Sequence, residues 1–141
     1  MNVLIDANVA LDFLLDREPH HSNAYDIMAM SENGMFKGFI SADSVTTIVY
    51  VAMKNLRNKN LVMELLAEML HVVKIAEVAG RHIYKTVELK WDDFEDALQF
   101  VVAESISADF IVTRNTTDYA SSDIAVLLPE QFIELLTSEE N

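Results

Sequence analysis

The sequence predicts an α/β fold, a mostly parallel sheet with helices on both faces, and three observations support it. Short runs with apolar centres recur at Asn2–Ile5, Lys37–Ser41, Val72–Ile75, Asp109–Thr113 and Ile124–Leu128, each too short for a helix. Helical periodicity fills the intervals between them, the alternation that parallel sheets require. Of 141 residues 51% are hydrophobic, with only 3 Gly and 2 Pro, so a sizeable core forms and long loops do not. A chain of this length is expected to build one domain over 1–141.

The first strand stops at Asp6, and Val9, Leu11, Phe13, Leu14 and Leu15 make a short, very apolar helix broken by Arg17-Glu18-Pro19. From His20 to Ser31, Ala24, Ile27, Met28 and Met30 fit a second helix that ends near Asn33-Gly34. After the strand at Lys37–Ser41, Asp43 or Ser44 is expected to cap a helix with Val45, Ile48, Val49, Ala52, Met53 and Leu56 on its apolar face. Asn58 to His71 makes the next, with Leu61, Leu65, Leu66, Met69 and Leu70 on its buried side. A strand over Val72–Ile75 and a helix over Ala79–Leu89 follow. Trp91-Asp92-Asp93 opens a helix carrying Phe94, Ala97, Leu98, Val101 and Val102. Beyond the strand ending at Thr113, a polar loop from Arg114 to Asp123 leads to the last strand. Pro129 then suits the first turn of a closing helix through Leu136, and the polar tail over 136–141 is expected to fray.

The absence of cysteine excludes disulfides, Cys-based zinc sites and thiol nucleophiles, and suits a reducing compartment. Asp6 and Asp12 interrupt the apolar N-terminus and no basic region precedes it, so no signal peptide is expected and cytoplasm is the default. No apolar run reaches the ~18 residues of a membrane span. With 23 acidic against 10 basic residues, net charge −13, the chain has the wrong sign for a protein that coats nucleic acid through phosphate contacts. A nuclease that uses cations escapes part of this objection, because its acids hold metal that then meets phosphate.

Carboxylates fall at strand ends. Asp6 directly follows Val3-Leu4-Ile5, Asp118 lies just past Phe110–Thr113, and Asp96 starts the helix before that strand, with Asp93 one turn earlier. If the strands are parallel and adjacent, Asp6 and Asp118 share the rim where α/β sheets bind ligands. Acids gathered there repel, and a hard cation such as Mg²⁺ or Mn²⁺ relieves them. Each acid also has a plain structural role open to it. Asp6 can cap the following helix, Asp93 can cap the amide of Asp96, which is the preferred role for Asp93, and Asp118 can be an ordinary loop acid. The four histidines form no metal signature, and no phosphate-binding glycine loop or nucleophile elbow occurs.

Leu4-Ile5-Asp6-Ala7-Asn8-Val9 with Leu11-Asp12-Phe13-Leu14 resembles the opening of PIN domains. Asp93-Phe94-Glu95-Asp96-Ala97-Leu98-Gln99 resembles their third motif and Ile111 to Tyr119 their last, in the family's order and over nearly the whole chain. Small PIN domains of this size resemble the toxin half of toxin–antitoxin pairs (VapC-like). The resemblance implies a three-layer α/β/α sandwich, Mg²⁺- or Mn²⁺-dependent cleavage of RNA, an antitoxin partner and a homodimer. It assigns Asp6, Asp96 and Asp118 as catalytic metal ligands, with Thr47, Asp93, Thr113 and Asn115 positioning water or ligands. Two departures matter. Where the family often has Asp stands Asn115, which cannot supply charge, and Thr47 matches the second-motif Glu with a neutral hydroxyl, as in a Ser/Thr-rich subgroup of the family. Asp43 and Asp93 are the acids available to compensate.

Two functions follow as expectations. One is an endoribonuclease. The other is a PIN-fold protein that has lost efficient cleavage and works by binding RNA or an antitoxin, suggested by Thr47, Asn115 and the acidic charge. A phosphatase or receiver domain using Asp6 as phospho-acceptor fits poorly, because Asn8 stands where a phosphatase wants an acid and a receiver's paired acids and late Lys are missing.

Overall fold

The computed structural model describes residues 1–139. Its elements run β1 (Asn2–Ile5), α1 (Ala7–Leu14), α2 (His21–Glu32), β2 (Lys37–Ser41), α3 (Ala42–Leu56), α4 (Lys59–Val72), β3 (Lys74–Ala76), α5 (Gly80–Leu89), α6 (Phe94–Ser105), β4 (Phe110–Val112), a 3-10 turn (Thr116–Tyr119), β5 (Ala125–Leu127) and α7 (Pro129–Glu139). The five strands are all parallel in the order β3-β2-β1-β4-β5. The expected α/β fold with its parallel sheet is therefore the observed one.

β1 is central, and Val3, Leu4 and Ile5 are each 0% exposed, as a strand covered on both faces demands. Alternation divides the core between the faces. Val3 and Ile5 of β1 and Val112 of β4 join the cluster built with α1, α2, α3, α4 and α7. Leu4 and Ile111 join the other, with Leu98, Val102 and Ala103 of α6. α5 lies against α6 on that second side.

Several boundaries differ from the expected ones, each for a local reason. α1 begins at Ala7, two residues before the apolar pattern, because the Asp6 carbonyl accepts the amides of Val9 (3.0 Å) and Ala10 (3.3 Å) and winds the first turn straight onto β1. α3 begins at Ala42, so Ser41 holds the cap position expected of Asp43 or Ser44, and its hydroxyl lies 2.7 Å from that of Ser44. Val72 belongs to α4, whose bonding extends to the Val73 amide on Met69 O (3.1 Å), so β3 starts at Lys74. In α4 the buried residues are Val62 and Met69, while Leu61 is 37% exposed. α7 continues past Leu136 because Thr137 Oγ1 and Ser138 Oγ donate to Ile133 O (2.9 Å) and Glu134 O (2.7 Å). Residues 140 and 141 of the expected frayed tail lie outside the described residues. Among the described residues no helix is long and apolar enough to cross a membrane.

Candidate acidic site at the carboxyl edge of the sheet

The strand order reverses between β1 and β4, so the crevice at their carboxyl ends is the topological switch point of the sheet. Ile5 pairs with Val112, and Asp6 and Thr113 are therefore the first residues beyond the paired strands. The Asp6 amide donates to Val112 O at 3.0 Å and the Thr113 amide to Leu127 O at 3.0 Å, which fixes both backbones. Thr113, fully buried, donates its hydroxyl to Asp6 Oδ2 at 2.7 Å and accepts the Asn115 amide at 3.1 Å. Asn8 Nδ2 also donates to Oδ2, at 3.3 Å. Although Asp6 occupies the cap position of α1, its side chain makes no capping bond; the amides of Ala7 and Asn8 are near enough only to favour its charge. Burial outweighs these partners and raises the Asp6 pKa, with Asp118 adding to the rise.

Asp96 sits in the first turn of α6, and its amide is capped by Asp93 Oδ1 at 3.0 Å, so Asp93 does take the capping role. Burial first, then the charges of Asp93, Asp118, Asp6 and Glu95, lift the Asp96 carboxyl to about 6. Asp118 lies exposed in the 3-10 turn, whose first bond runs from its amide to Asn115 O at 3.1 Å. The structure thus brings Asp6, Asp96 and Asp118 into one electrostatic unit. None of them pairs with a basic side chain among the described residues.

Two openings meet this unit. A small one of about 50 Å³ is lined by Asp6, Asp43, Ser44, Thr47, Asp96 and Gln99, among others. A larger cleft of about 630 Å³ runs past Asp93, Asp96 and Asp118 toward Trp91. Thr47, the expected stand-in for the family Glu, is exposed at the small opening, and the half-buried Asp43 lines the same space.

Residues that the sequence reading did not single out complete the site. Gln99, one turn after Asp96, is buried; its Nε2 donates to Ser41 Oγ (2.6 Å) and Ser44 Oγ (3.2 Å) and comes within 3.5 Å of Asp43. Tyr119 is buried among Asp6, Asp96 and Asp118, and burial followed by those charges raises its pKa, so the phenol stays neutral. Its hydroxyl, Gln99 Oε1 and Asn8 Oδ1 are buried polar atoms without a protein partner among the described residues. Asp12, 1% exposed, anchors the loop after β4: Arg17 Nε donates to Oδ1 at 2.9 Å, Arg114 Nη2 to the same oxygen at 3.3 Å, and Arg114 Nε lies 2.7 Å from Oδ2. The i,i+3 spacing of Asp96 and Gln99 could have revealed the second. Nothing local marks Tyr119.

The donor set suits a hard cation: clustered carboxylates, raised proton affinities, hydroxyl and amide oxygens, and no compensating base. Yet among the described residues no three His, Asp or Glu side chains converge closely enough to chelate an ion as they stand. Mg²⁺ tolerates this, since it keeps several waters and takes one or two carboxylates plus substrate phosphate.

Residues 2–117 match the model of the PIN domain, and the chain belongs to that family. It is 28% identical over 137 residues to Ribonuclease VapC1 of Aquifex aeolicus (strain VF5), a match covering 94% of this chain and 93% of the relative. Its fold is similar to that of VapBC2 from Rickettsia felis, solved bound to a DNA fragment from their promoter (TM-score 0.69, 15% identity, 91% of this chain and 98% of that one). It is also similar to VapC20 of Mycobacterium tuberculosis, a sarcin-ricin loop cleaving toxin (TM-score 0.63, 14% identity, 77% and 86% covered).

Proposed function

We propose that this chain is a Mg²⁺- or Mn²⁺-dependent endoribonuclease that hydrolyses RNA phosphodiesters as the toxin of a toxin–antitoxin pair. The observation that carries the reading is Asp6, half-buried at the switch point, held by Thr113 and set among the charges of Asp96 and Asp118 with no basic partner among the described residues. Family membership and the ribonuclease relative support it.

Asp6, Asp96 and Asp118 hold the cation, and Asp43 supplies the charge that Thr47 cannot. When bound, the ion neutralises phosphate and lowers the pKa of an attacking water. Thr113 keeps Asp6 oriented, a role that elsewhere is worth about 10–100-fold in metal affinity. Asn115 and Thr47 orient water, and Asp93 fixes the first turn of α6 and with it Asp96. Water is the nucleophile in this reading: neither opening is lined by a histidine that could act as general base to activate Ser44, Thr47, Thr117 or Ser121.

An antitoxin segment fits the adjoining hollows between α1, α2, α3 and α4, of about 330 and 450 Å³, where Phe13, Tyr25, Leu56, Leu61 and Leu65 offer apolar surface. α5 leaves Tyr84 (76%) and Val87 (61%) exposed for a second copy of the chain. A single domain working in the cytoplasm completes the reading.

The test is calorimetric titration of Mn²⁺ into wild type and Asp6→Asn, followed by RNA cleavage assays. Binding and cleavage that both vanish in the variant support the assignment; unchanged cleavage sinks it. A second reading, a PIN-fold binding protein without efficient cleavage, is favoured by neutral Thr47 and Asn115 and by the lack of a chelating triad among the described residues. Binding of an antitoxin with no metal uptake and no cleavage of any RNA would select it.

A further inference from the structure

The 630 Å³ cleft is larger than the other three openings named above, and the acid unit accounts for only one of its walls. Its remaining lining comes from the α5–α6 turn, with Leu89, Lys90, Trp91 and Asp92, and from the end of the 3-10 turn, with Thr117, Ala120 and Ser121. Trp91 is the chain's single tryptophan. Its indole stacks on buried Phe100 (centroids 5.1 Å apart, planes at 25°), so the ring is backed by the core while the residue stays half-buried and lines the cleft. Lys90, with φ +56°, turns the chain out of α5 immediately before it.

We propose that this cleft is a nucleobase subsite, in which an amino-bearing base of the RNA lies against Trp91 while its phosphate stays over the acid rim. The proposal rests on the ribonuclease reading. Charge decides what enters: with Asp96 and Asp118 given to the cation at the rim, Asp92 and Asp93 still face one ammonium, Lys90, so an anionic phosphate is not drawn into the interior. A nucleobase is neutral and flat, and stacking on an aromatic ring accepts any base. Ionised carboxylates are acceptors only, so they favour guanine, adenine and cytosine, which carry exocyclic amines, over uracil, whose single N3–H donor is flanked by two carbonyls that carboxylates repel. The cleft's size is that of ordinary small-ligand sites.

Fluorescence of the single Trp91 reads the site directly. The full chain in EDTA is titrated with guanosine, adenosine, cytidine and uridine, exciting at the red edge where nucleosides do not absorb. Saturable quenching by the first three, with uridine about tenfold weaker, is expected. Ala120→Leu adds bulk to the cleft wall while leaving every acid in the chain and should abolish the quenching, and Asp92→Asn should weaken it. Quenching absent with all four, or unaffected by Ala120→Leu, overturns the subsite; equal response to all four overturns the amino preference. In cleavage assays Trp91→Ala should raise KM about tenfold with kcat little changed, and Trp91→Phe should restore most of the loss. Quenching without cleavage would refute the nuclease and leave the subsite; cleavage without quenching would refute the subsite alone.

Discussion

Asp6 and Asp96 hold their protons more tightly than ordinary carboxyls, and the sign of that shift separates stability from activity. Asp96 rises from 3.8 to about 6. A carboxyl with a folded pKa above its unfolded value favours folding while protonated, so this contribution is present below about pH 4 and is lost as pH rises through about 6. Metal binding needs the opposite, an ionised Asp96. Without divalent cations the protein should therefore melt at a higher temperature near about pH 5 than near about pH 7.5, and Mg²⁺ should raise Tm chiefly at the higher pH. Scanning fluorimetry at both values, with and without Mg²⁺, checks this; an equal Mg²⁺ effect at both would exclude Asp96 as a ligand. Thr113→Val isolates the support beneath Asp6. Its fold should persist, since the shape is conserved, while Mn²⁺ affinity falls about 10–100-fold by calorimetry. At this scale Asp6 was legible as a candidate because it sits where an apolar run stops, and Asp96 and Asp118 because they flank the strand that pairs with it. Gln99 had only its spacing from Asp96 to mark it, and Tyr119 was not legible at all, because its importance comes from burial beside acids distant in sequence.

Elements were the most legible level. β1, β2, β4, α5 and α6 follow from apolar runs and helical period, and the parallel sheet follows from their alternation. The misplaced ends of α1, α4 and α7 depend on single backbone or hydroxyl bonds that periodicity does not encode. The start of α6 was legible, and it can be tested. Asp93→Ala removes the bond to the Asp96 amide and should cost about 1 kcal/mol by urea titration. Asp93→Ser retains a capping oxygen without charge and should recover most of it. The link between α1 and the β4 exit depends instead on Asp12. Asp12→Ala strands two arginines that are partly exposed (35% and 29%) and can rehydrate, so the loss should be about 2 kcal/mol, below that for a fully buried pair. Because that contact also holds Arg114 next to Thr113 and Asn115, cleavage should fall even where the variant remains folded.

Across the whole molecule, the proposed ribonuclease reading requires that a net charge of −13 still permit an anionic substrate. Two of the ten basic residues, Arg17 and Arg114, are committed to Asp12, and Lys85 to Glu104 at 3.1 Å; of the seven that remain, Lys90 alone lines either opening at the acid rim. A basic nucleic-acid binder releases counterions, and its affinity falls steeply with salt. Here few counterions are released, and monovalent salt also screens the repulsion between an acidic protein and RNA. Between about 50 and 200 mM KCl at fixed, saturating Mg²⁺, KM for a short RNA should therefore change less than about threefold, against the ~10³–10⁵-fold loss of affinity for a protein with six to ten phosphate contacts. Lowering Mg²⁺ at constant ionic strength should weaken the reaction far more, since the cation rather than Lys or Arg then carries the phosphate contact. A steep loss with KCl would instead point to an ordinary basic binding surface, and the acidic rim would no longer be the place where RNA is held.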